Sequence, residues 1–83
     1  MPRFFMNIHD AGVIIPDLEG QIFPDVEQAR SETEAAVREM LAERVLQGGE
    51  IDGQKIEILD ERGGLVAVVF FRSQLRLVED AAR

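Results

Sequence analysis

The stretch that decides the fold is DVEQARSETEAAVREMLAERVLQ, residues 25 to 47. Val26, Ala29, Thr33, Ala36, Val37, Met40 and Leu41 recur at steps of three and four, which places them along one stripe of a helix. Glu27, Gln28, Ser31, Glu32, Arg38, Glu39 and Glu43 fill the rest of the circumference. Both ends are marked. Asp25 stands three residues before Gln28, so its carboxylate can accept the Gln28 amide while the Gln28 side chain reaches back, as in a capping box. Gly48 and Gly49 follow the last turn and can take the positive φ that closes the final carbonyls. Three residues of the stripe, Ala29, Thr33 and Ala36, are small, which lets the helix axis approach a flat sheet closely. Arg44 interrupts the stripe; its stem is expected to cover the sheet edge, with the guanidinium in solvent or on the last carbonyls.

On either side of the helix the period changes to two. Before it, Arg3 to His9 reads as a strand with Phe4, Met6 and Ile8 on one face and Arg3, Phe5, Asn7 and His9 on the other. Asp10, Ala11 and Gly12 then turn the chain. Val13 to Ile15 form a short strand stopped by Pro16, Asp17-Leu18-Glu19-Gly20 has type I turn chemistry, and Gln21 to Phe23 add a few extended residues. After the helix, Ile51-Asp52-Gly53 is a loop and Lys55 to Asp60 alternates. Glu61-Arg62-Gly63-Gly64 makes a hairpin, and Leu65 to Phe71 is an almost continuous apolar strand, expected to be central or buried on both faces. Ser73 to Val78 is read as either a helical turn or an extended tail, and residues 79–83 as frayed.

The order ββ(β)αββ specifies an α+β domain, residues 1–78, in which one helix packs on a mainly antiparallel sheet of about four strands. One helix covers one face. The other face is expected to carry Phe5 with either Val66, Val68 and Phe70 or Ala67, Val69 and Phe71, depending on register. Either a second copy of the chain covers it, or the C-terminal segment does so with Leu75, Leu77 and Val78. The dimer is the preferred expectation.

Composition narrows the function. Sixteen acidic against nine basic residues give a net charge of −7, which repels phosphate backbones and anionic lipid, so neither nucleic acid nor membrane is an expected partner. The chain has no cysteine, and this lack of staples in 83 residues fits a reducing compartment. Met1-Pro2-Arg3 leads straight into a strand without a signal-peptide apolar core, and no apolar run approaches the ~20 residues of a membrane span. The expectation is a cytoplasmic protein.

No cluster of side chains points to a reaction. His9 and Asp10, with Asp17, Glu19 and Asp25, are the histidine and carboxylates that the hairpin ends could gather into a metal or acid/base site. The alternative is structural: Asp10 and Asp17 form turns and Asp25 caps the helix. Ser31 and Thr33 are committed to the helix, and with Ser73 and one histidine they compose no triad. Gly48-Gly49 and Gly63-Gly64 read as a cap and a hairpin, because neither pair follows a strand and opens a helix as a phosphate loop does. Arg3, Arg62, Arg72 and Arg76 read as solvated charges that discourage strand addition at an edge. No catalytic, cofactor-binding or metal residue is assigned, and a non-enzymatic interaction or regulatory module is expected.

The opening MPRFFMNIHD, the turn PDLEG, the helix start FPDVEQARSE and the hairpin DERGGLVAVVFF together resemble a family of small alphaproteobacterial proteins classed as a domain of unknown function. That resemblance spans nearly the whole chain and implies no activity. A weaker likeness is to HicB-type antitoxins, in which two strands end in P-D-L-P-G before a helix. It implies, as a second reading, an inhibitor that binds another protein through its acidic surface; the DNA-binding tail of such proteins has no counterpart here.

Overall fold

The computed structural model describes residues 1–75. Five strands and one helix form an α+β domain: β1 (Arg3–Asp10), β2 (Val13–Ile15), β3 (Gln21–Ile22), α1 (Val26–Leu46), β4 (Lys55–Leu59) and β5 (Leu65–Phe70), followed by a 3-10 turn at Phe71–Gln74. All pairings are antiparallel, in the order β2-β1-β4-β5, with β3 on the same edge of β1 as β2. The sheet is as expected, with the short extended segment at Gln21 as its fifth strand. The expectations for residues 76–83 lie outside the described residues.

The helix ends as its sequence dictates. Asp25 Oδ1 accepts the Gln28 amide at 2.8 Å, but the Gln28 side chain does not reach back; it donates instead to Glu32 at 3.5 Å. At the other end Gly48 has φ +73° and donates to Val45 O, while Gly49 donates to Arg44 O at 2.9 Å. These two bonds make a Schellman motif. Ala29, Thr33, Val37 and Leu41 are buried, so the stripe is real but narrower than expected. Val26 is exposed, and Ala36 and Met40 are only half-buried.

The core lies between this stripe and one face of the sheet. Phe4, Ile56, Ile58, Ala67 and Val69 point at the helix, with Phe23 and Phe71 closing the two ends. Register explains the choice: Met6 faces Ile58, which faces Ala67, and Ile8 faces Ile56, which faces Val69. Helix α1 lies over β4 and β5, packing chiefly on β5 and the 3-10 turn.

Strand β5 is not central. It stands at the sheet edge, and its continuous apolar run is explained by the core under the helix on one side, where Val66 also packs, and by half-burial of Val68 and Phe70 on the other. Phe71 leaves the strand to start the turn, where it is buried and donates its amide to Gln54 O. Gln54 is itself buried, taking the Asp52 amide and donating to Glu50 O, so it fastens the loop before β4.

Replacing Val37, which is wholly buried, by Asp should lower the urea midpoint far more than Glu39→Ala, whose side chain is exposed. Equal midpoints would contradict the helix orientation. Asp25→Ala should cost about 1 kcal/mol of unfolding free energy. The β1–β2 turn holds Ala11 at φ +52° beside Gly12 at +80°, so Ala11→Gly should gain about 1 kcal/mol by releasing left-handed strain, measured the same way.

Candidate functional site

The sheet face away from α1 is built by the odd residues of β1 and their partners. Phe5 lies opposite Leu59, Asn7 opposite Glu57 and His9 opposite Lys55; Lys55 and Glu57 in turn face Phe70 and Val68. Ile14 and Ile22 extend the same face on the far side of β1, opposite His9 and Arg3. Its middle is polar. Glu57 takes His9 Nε2 at 3.0 Å on one oxygen and Lys55 Nζ at 3.5 Å on the other, so the charges largely neutralise each other within the face. The Phe70 ring has two cations over it, Lys55 at 5.8 Å and Arg72 at 5.2 Å from its centroid. Phe5, Leu59 and Val68 form the apolar remainder, each half-buried.

Register therefore selects Val68 and Phe70 over Ala67 and Val69 for this face, while a register shift after Ile58 sets Leu65 opposite Leu59 and leaves Val66 packed against the core. The face is mixed rather than purely apolar, because β4 contributes the charged Lys55 and Glu57 to it beside Leu59.

The carboxylates weighed as a site do not meet. His9 and Asp10 are consecutive in a strand and point to opposite faces. His9 pairs with Glu57, whereas Asp10 Oδ2 takes Arg44 Nη2 at 2.7 Å on the helix side. Asp25 caps α1, and Glu19 is exposed, offering only its carbonyl to Arg3. Among the described residues no three His, Cys, Asp or Glu side chains gather as metal ligands would.

Asp17 has a role that its turn chemistry only half announces. Even-numbered residues of β1 direct their amides toward β2 and β3: Phe4 pairs with Gln21 and Ile8 with Ile15, which leaves Met6 opposite the break between those strands. Asp17 Oδ2 accepts the Met6 amide at 3.1 Å, its other oxygen accepts the Gly20 amide at 3.0 Å, and its own amide donates to Asn7 Oδ1 at 2.9 Å. One carboxylate thus replaces the missing rung. Gly20, at φ +69°, completes the fit, since a Cβ there would sit 2.7 Å from Phe4 O and 2.9 Å from the Phe5 ring.

Arg44 is the residue whose role the sequence concealed. Beyond the Asp10 bond it donates to Glu50 O at 3.3 Å, and its stem presses on Gly49, where a Cβ would meet Arg44 Cγ at 2.8 Å. It ties the end of α1 to the end of β1. An arginine inside an apolar stripe was the available signal, but its partner comes from 34 residues away.

Residues 3–72 match the family described as a domain of unknown function, DUF6894. The chain belongs to that family. No curated protein and no solved structure matches it. DUF6894 membership spans β1 through the start of the 3-10 turn, so all five strands, the Asp17 loop and the open face belong to the family domain.

Asp17→Ala should cost about 2 kcal/mol, the scale of losing hydrogen bonds to a carboxylate, and should speed hydrogen exchange at the Met6 amide selectively. Gly20→Ala should be more damaging still, because the clash is with backbone. If Met6 keeps its protection in Asp17→Ala, the carboxylate is not the missing rung.

Proposed function

We propose that the protein is a non-enzymatic interaction module of the cytoplasm that works as a homodimer through the open sheet face. The observation that carries this reading is the face itself. Phe5, Leu59 and Val68 remain partly in water on a sheet whose other side is packed, while the charges between them are already paired by Glu57. The paired Glu57 and Lys55 can be covered at lower desolvation cost than free ions. Burial of apolar area there contributes roughly 25 cal/mol per Å2 before association costs.

The antitoxin-like reading draws less support. It began from the P-D-L-E-G turn, and in that turn Asp17 and Gly20 are occupied in holding β1.

The protein is expected to sediment as a dimer at micromolar concentration, and Phe5→Lys as a folded monomer with unchanged helical circular dichroism. Val68→Lys should act in the same way. A wild-type protein that stays monomeric as concentration rises would remove the homodimer from this reading.

A further inference from the structure

A single helix does not cover the packed side of the sheet completely. Since α1 lies over β4 and β5, the part of that side made by β1 and β2 forms the floor of a trough beside the helix. Two adjoining cavities of 380 and 440 Å3 share Ile8, Glu39 and Met40 and make this trough continuous. Met6 and Ile8 supply its floor, and Ala36 and Met40 its helical wall, all half-buried. Ile15, opposite Ile8 in β2, extends the apolar floor and is 51% exposed. At one end the Arg44 to Asp10 bond closes it.

The charges along this trough have one sign. Glu32, Glu39 and Glu43 line it from α1, exposed, and none forms an ion pair among the described residues. Arg44, the cation at the closed end, is already bound to Asp10. The trough runs along α1 from Glu32 to Gln47, about 22 Å at 1.5 Å per residue, long enough for four turns of a second helix.

We infer that this trough binds a basic amphipathic helix of a partner protein, whose apolar stripe sits on Met6, Ile8 and Met40 and whose lysines or arginines meet Glu32, Glu39 and Glu43. Charge complementarity selects the occupant. A second copy would bring another acidic helix against this one, whereas a basic helix neutralises the row and steers its own approach. Thioether side chains on floor and wall adapt to differing apolar residues, a property suited to a helix-in-groove contact. The helix adds a second layer element beside α1, on the side opposite the proposed dimer contact.

Methionine methyl groups make the test direct, because Met6 and Met40 line the trough while Met1, 81% exposed, does not. The full-length protein, labelled at its methionine methyls, is titrated with a synthetic helix of about 14 residues carrying leucines on one face and lysines elsewhere. The same peptide with glutamate for lysine is the control. Saturable shifts of Met6 and Met40 with Met1 unmoved are expected, with no response to the acidic peptide. The double variant Glu39→Lys with Glu43→Lys, altered only at exposed positions, should keep its circular dichroism and bind at least tenfold more weakly. Shifts that are equal at all three methionines, fail to saturate, or persist in the double variant would overturn the inference. So would movement of Met6 and Met40 with protein concentration alone, which would make a second copy the occupant.

Discussion

A helix is about 10 Å across with its side chains, and a sheet four strands wide spans about 19 Å, so one helix cannot cover even one side of such a sheet. Everything distinctive about this domain follows from that mismatch. Helix α1 lies over β4 and β5, and its buried residues Ala29, Thr33, Val37 and Leu41 meet the apolar residues that those strands direct toward it. What remains is of two kinds: a trough beside the helix, floored by β1 and β2, and the whole opposite face. In 83 residues there is no second helix to fill the first space among the described residues.

The uncovered half of the sheet must then be held by something other than a packed layer. Side chains do it. Asp17 bridges the gap between β2 and β3 by taking the amide of Met6, and Arg44 reaches from α1 to Asp10 at the far end of β1. Both are partly buried polar contacts that fix β1 where few apolar contacts are available to do so. The glycines beside them follow from the same geometry. Gly20 allows the Asp17 loop to close on Phe4, and Gly49 makes room for the stem of Arg44.

Much of the fold was legible because it is local. Pattern and caps placed α1 between Asp25 and Gln47, and alternation with turn chemistry placed the hairpins within a residue of their observed ends. What the sequence did not disclose is lateral position in the sheet. An apolar run such as that from Leu65 fits a central strand or one covered on both faces, and composition alone does not distinguish these from an edge strand packed under a helix with a half-buried outer face. Likewise Gln28 offered the right type for a reciprocal cap, but Glu32 one turn on is a competing acceptor. His9 and Asp10 are neighbours in sequence, but strand alternation separates them in space. Asp17 and Arg44 depend on partners 11 and 34 residues away, and no local pattern encodes such pairs.

The two uncovered surfaces differ in how their charges are handled, and this separates what each can accept. On the open face Glu57 is shared between His9 and Lys55 while Arg72 lies over Phe70, so the carboxylate is matched by cations, and Phe5, Leu59 and Val68 are the half-buried apolar residues of that face. Beside α1 the carboxylates of Glu32, Glu39 and Glu43 have no cation of their own among the described residues, so that surface disfavours acidic partners before any contact forms. A net charge of −7 strengthens this discrimination over the whole molecule. The open face proposed for a second copy and the trough proposed for a basic helix lie on opposite sides of the sheet, so the two proposed contacts do not compete.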